Sequence, residues 1–264
     1  MDEDHDPVEA IEESISSRVR DHDVLRDSNE FRSEQVYLDR LTRDFALGLR
    51  AASFAFTRYP ENSEWLLQSS FDDLLESAIS VDLLGHQGVF NVGKRELRYM
   101  LEVVVKVVFC DQQVAGNTKL ADRIGFINDP RQVPRSSVSV VDDLVFRMVI
   151  ETQRFIEDVH SAFGSLSGYT HPSKTQLDER FRRAGRGEFS GLESVATLRS
   201  FNQKVAACYD LILSLVFEGI GPTTTGDVFI EVLDHEDRWS FRRSKYLRQV
   251  SDHFDYKSER NRPK

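Results

Sequence analysis

Cysteine is nearly missing from these 264 residues. The two present, Cys110 and Cys208, sit inside apolar helical patterns at a spacing that matches no metal or redox motif. That excludes a disulfide framework and predicts buried thiols in a reducing, cytoplasmic setting. Gly-rich phosphate loops, His-Glu-x-x-His and Gly-x-Ser-x-Gly are missing too, so nucleotide hydrolysis and ester hydrolysis lose their usual signatures. Glu157 and His160 form one Glu-x-x-His pair, but a di-iron bundle needs two, and no second helical pair occurs. Neither a metal nor a cofactor is expected.

Long apolar runs are scarce. The most apolar stretches, around Val103 to Cys110 and Leu211 to Ile220, fall short of the roughly 20 residues that span a bilayer, and Lys106 and Glu218 interrupt them. Residues 1 to 6 are acidic where an export signal begins basic and continues apolar. The expectation is a chain that neither enters a membrane nor leaves the cytoplasm. Period-2 alternation is also absent at any useful length, which excludes a sheet protein.

Helix periodicity fills the space those absences leave. All seven prolines, and all glycines except Gly48 and Gly125, read as lying between apolar periodic runs. Helices are predicted over about Ser33 to Arg58, Ser63 to Gly85, Asn91 to Gln113, Thr118 to Ile127, Ser137 to Phe163, Ser173 to Arg183 and Leu192 to Glu218. Two more follow, one from Thr223 through Leu233 and a basic one from Trp239 to Phe254. Asn91 to Gln113 is apolar almost all round, which places it at the centre. The fold class is therefore all-α, an irregular multi-helix bundle around a central apolar helix.

Charge divides the chain into three parts. Residues 1–30 hold eleven carboxylates against three Arg, while residues 238–264 hold nine Lys or Arg against three acids, within a total of −10. An acidic N-terminal segment free to move (1–30), a helical bundle (31–237) and a basic C-terminal helix and tail (238–264) are the expected units. Val8, Ile11, Ile15 and Val19 would give the first segment a loose amphipathic helix that need not dock.

Two features break the regularity. Arg95, Arg98, Glu102 and Lys106 share one face of the central helix at spacings of three and four. They form either a seam tied by Arg98–Glu102 and Glu102–Lys106 pairs or a cationic wall that holds phosphate. The second break is Gly164-Ser-Leu-Ser-Gly-Tyr-Thr-His-Pro-Ser173, read as an ordered turn, where Pro172 keeps His171 extended. A histidine so placed suits general acid or base work near neutral pH.

The segments Arg95 to Lys106, "RELRYMLEVVVK", and Leu166 to Ser173, "LSGYTHPS", together resemble the HEPN superfamily of helical bundles, notably members tied to abortive infection and phage defence. The resemblance spans about 80 residues. It implies metal-free RNA cleavage by an Arg and a His separated by four to six residues, in a cleft formed by a homodimer. That motif occurs here as Arg154 with His160 and as Arg248 with His253, while His171 has no Arg at that distance.

The resemblance thus makes Arg154, His160 and His171 the catalytic candidates, with His160 or His171 deprotonating a ribose 2′-hydroxyl. Arg95, Arg98, Lys106, Arg180, Arg182 and Arg183 would hold the RNA backbone, with Arg186 extending the track. The competing expectation is a non-catalytic helical adaptor that binds a partner protein through its charged ends.

Overall fold

The computed structural model describes residues 7–59, 63–170 and 173–254, and among these it is helical with no strand beyond one isolated bridge, Phe189 with Leu192. Among the described residues nine α-helices succeed one another: α1 (Pro7–Arg26), α2 (Asn29–Phe56), α3 (Leu66–His86), α4 (Phe90–Gln113), α5 (Leu120–Asn128), α6 (Thr152–Ser167), α7 (Lys174–Gly185), α8 (Val195–Val228) and α9 (Leu247–Asp252).

The centre is a pair of long helices. On α2, the predicted stripe Leu38, Leu41, Phe45, Leu49, Ala52 and Phe56 is buried, and it packs on α8. Each Leu or Phe side chain so removed from water contributes about 1.5–3 kcal/mol before entropy is counted. On the other side α4 packs on α3 and α8, burying Leu97, Leu101, Val104, Val105 and Val108. On α3 the buried stripe is Leu67, Phe71, Leu74, Ala78 and Val81, while Ile79 and Leu83 are exposed.

Helix α8 carries a longer apolar run than its Leu211 to Ile220 stretch indicates. Together with the π-turn Phe229–Leu233 it is long and apolar enough to cross a bilayer, yet 72% of its most apolar window is buried inside the fold. Glycines predicted to lie between helices lie within them here. At Gly219 a Cβ would come within 2.7 Å of Leu67 and 2.8 Å of Val108, so only glycine admits α3 and α4 this close. At Gly221, φ is +80°, and the chain kinks ahead of Pro222. Thr225 turns back to donate its hydroxyl to the Phe217 carbonyl at 2.9 Å, satisfying an acceptor near the break.

Several helix starts lack a local cap. Trp65, Lys119 and Glu151 occupy the N-cap positions of α3, α5 and α6 without a side-chain bond. Distant groups replace them. Asp111 on α4 accepts from the Leu66 and Leu67 amides at 3.1 and 2.8 Å. Glu64 takes the Leu120 amide at 2.7 Å, and Gln249 takes those of Ile150 and Glu151 at 3.1 and 3.0 Å. Asp210 receives the amides of Tyr246 and Leu247, both at 3.1 Å.

The same device overturns two predicted helices. Ser137 to Phe163 is not one helix but a 3₁₀ turn, Ser139–Asp143, an irregular passage, and α6. Glu218 of α8 draws in the amides of Arg147, Met148 and Val149 at 2.7–2.8 Å, and Gln112 brackets Val145, so these groups do not bond within a helix. The predicted helix Trp239 to Phe254 likewise splits into a 3₁₀ turn, Ser240–Arg243, and α9. Asp44 holds the Ser240 amide and Asp210 holds the start of α9. Trp239, Phe241, Tyr246 and Val250 are buried, so this segment belongs to the core up to Phe254.

The first helix docks at one end. His22 is buried against the Glu193 carbonyl, and Arg26 donates to the His86 carbonyl at 2.9 Å. Val8, Ile11, Ile15 and Val19 are exposed.

Candidate cationic site

The two irregular sequence features meet, but they form a clamp. Arg95 Nε donates to the Tyr169 carbonyl at 2.5 Å, and Arg98 Nε donates to Ser167 Oγ at 3.0 Å while its guanidinium lies 4.5 Å from the Phe163 ring centre. The pairs expected from spacing are present, Arg98–Glu102 at 3.2 Å and Glu102–Lys106 at 2.5 Å. The stripe therefore fastens α4 to the end of α6, which continues through Gly164 to Ser167 where a turn was expected. The turn proper is Gly168 to Thr170, and His171 and Pro172 lie outside the described residues.

Beyond that turn, Ser173 caps α7 as its spacing to Gln176 predicts, its Oγ accepting from the Gln176 amide at 3.1 Å. Residues of α7 come beside the start of α8. Between α4, α7 and α8 lies a cavity of about 310 Å³. Lys94, Arg182, Arg183, Arg186 and Lys204 converge on it, with Phe90, Phe201 and Tyr169 as its aromatic walls.

Lys94 is the deepest cation and was not legible as a site residue. It is 5% exposed, donates to Glu179 at 2.9 Å, and stands 4.0 Å from the Tyr169 ring centre. Burial lowers its pKa, with Glu179 opposing the shift. The Glu179 carboxyl is itself pulled below its ordinary range: burial pushes it up, but hydrogen bonds from Tyr169 and Lys94 outweigh that. Tyr169 is raised, first by burial and then by its bond to Glu179. Lys94 and Tyr169 thus both donate to an ionised Glu179 on the cavity wall.

The remaining charges are unevenly balanced. Arg186 and Arg183 share Glu188, at 2.8 and 3.8 Å. Among the described residues, no carboxylate lies within salt-bridge range of Arg182 or Lys204. Five cations against Glu179 and Glu188 leave a local charge of +3. The N-terminal turn of α8, which contributes Ala196 and Thr197, adds its positive dipole end. Such a cavity is built to take an anion.

The other predicted residues lie elsewhere. Arg180 is exposed beside Phe181 and Phe189, on the neighbouring side of α7. On α6, Arg154 is mostly exposed with Glu151 as its partner at 4.0 Å, and His160 meets Asp142 at 3.0 Å. Six residues apart on a helix, Arg154 and His160 point about 120° away from each other. Arg248 and His253 sit on and just after α9.

A second polar cluster joins α2 to α3. Asp39, Asp82 and His86 present ligand atoms within 4.8 Å of one another, with His86 Nε2 at 2.7 Å from Asp39 and 4.0 Å from Asp82. Burial raises the Asp82 carboxyl and Asp39 adds to the shift, while His86 opposes it. The group acts as a hydrogen-bonded tie at the end of α3.

Comparison with known proteins gives no match: no family model, no curated protein and no solved structure corresponds to this chain.

Proposed function

We propose that this protein binds RNA, with the cavity between α4, α7 and α8 as its phosphate site, in keeping with the HEPN-like resemblance of its sequence. The observation that carries the reading is the pair Arg182 and Lys204, two cations with no carboxylate in salt-bridge range among the described residues, beside an aromatic wall. Guanidinium and ammonium groups supply the charge that holds a phosphate, and Phe and Tyr faces supply sequence-tolerant stacking for bases.

Single-stranded RNA binding measured between 50 and 200 mM salt tests it. Arg182→Ala and Lys204→Ala should each weaken binding and reduce the slope of log K against log salt by about 0.7, the value for one lost phosphate contact. Unchanged affinity and slope in both variants would remove the reading.

Metal-free cleavage by a homodimer is the stronger form of this proposal, with Arg154, His160 and His171 completing a site across the dimer axis. One observation favours the rival, a partner-protein module: Val8, Ile11 and Ile15 line an exposed apolar face of α1. Pull-down of a defined protein that is lost on Ile11→Asp, with no RNA affinity, would favour that rival.

A further inference from the structure

We propose that the cationic cavity continues into a second slot between α6 and α8, and that the two together take one nucleotide, phosphate in the first and base in the second. This rests on the RNA-binding reading. The slot has a volume of about 430 Å³, within the about 300–1,000 Å³ typical of small-molecule sites. Where α6 and α8 part, small residues face each other, Ala162 and Ser165 on one side and Ala206 and Ala207 on the other, with Leu211 and Cys208 behind. Alanines at a helix crossing bring helices together when they pack; here they leave a flat apolar gap.

Lys204 belongs to both spaces. Its charge is felt on both sides: burial pushes the Cys208 thiol up to about 12 while Lys204 pulls it down, and Lys204 adds to the lowering that burial imposes on Lys94. A phosphate on Lys204 therefore has the slot as its immediate neighbour. Around the slot stand Ser161, Ser244, and Asp158 paired with Lys245 at 2.6 Å. Donors and acceptors on the rim with apolar faces inside match a nucleobase, which is apolar on its faces and polar at its edge.

The experiment compares two fluorescent oligonucleotides of equal length, one single-stranded RNA and one abasic, against wild type and Ala207→Trp. Ala207 is exposed on α8, so a bulky group there fills the slot and leaves the core untouched. Wild type should bind RNA at least tenfold more tightly than the abasic strand, and Ala207→Trp should abolish that advantage without changing abasic binding. Ala162→Phe fills the slot from α6 and should do the same, and a melting curve for each variant checks folding. RNA and abasic strands bound equally by wild type would overturn the inference while leaving the phosphate site standing. So would an advantage undiminished in both folded variants. If wild type binds neither strand, the RNA-binding reading fails and this inference fails with it.

Discussion

Lys94 and Glu179 are 85 positions apart and meet at 2.9 Å, closing α7 onto α4. The pair makes one wall of the cationic cavity, and the Tyr169 hydroxyl donates to the same carboxylate. Because the folded Glu179 carboxyl titrates below its ordinary range, its contribution to stability is complete above that range. It is lost as pH falls through the folded value.

Glu179→Gln should therefore cost about 1–3 kcal/mol at pH 7, where the charged bond is intact. Thermal melts from pH 7 to pH 3 should show the gap between wild type and variant closing in acid. A gap of constant size would show that the charge on Glu179 contributes nothing.

Arg123 is fully buried and bonded to Asp111 at 2.8 Å and to the carbonyls of Thr118, Ala115 and Gly116. Removing the cation strands a buried carboxylate, so Arg123→Met should cost about 3–5 kcal/mol in urea denaturation. Adding Asp111→Asn to that variant should recover part of the loss, since the stranded charge goes.

Two glycines on helices should respond oppositely. Gly219→Ala drives a methyl into Leu67 and Val108 and should destabilise by about 1–3 kcal/mol. Gly164→Ala on α6 meets nothing within 4 Å and should stabilise by about 0.5–1 kcal/mol. Denaturation midpoints of the two variants, moving in opposite directions, check this.

For the catalytic form of the RNA proposal, His160→Ala or His171→Ala should lower cleavage about 10²–10⁴-fold, as loss of a general acid or base does. Arg154→Ala should lower it too. Cleavage unchanged in all three, measured on labelled RNA, would leave binding without catalysis.

Helices α2, α3 and α4 were legible within a few residues because their apolar spacing is local and their burial follows it. The passage from Leu144 to Glu151 was not, since its shape is set by Glu218 and Gln249, whose partners are about 70 and 98 positions away. The site divides the same way. The basic run on α7 reads directly from sequence, and Arg182 and Arg183 do reach the cavity. Lys94 shares the apolar face of Leu97, Leu101 and Val104, so a cation at a core position was the signal available for it. Lys204 joins the site only because the fold brings the start of α8 beside α4. As for the Arg–His spacing, 26 Arg and seven His produce such pairs by composition alone.

The borrowed caps have a consequence for how the protein comes apart. When α3, α6 and α9 each begin on a group supplied by another element, none of them gains its full helical stability alone. A fragment cut between α6 and α8 parts Glu218 and Gln249 from the amides they hold, and one ending before α9 takes the Leu247 amide away from Asp210. Opening is then a collective event: the amides of Leu67, Met148 and Leu247, scattered along the chain, should exchange with solvent together, as members of one cooperative unit.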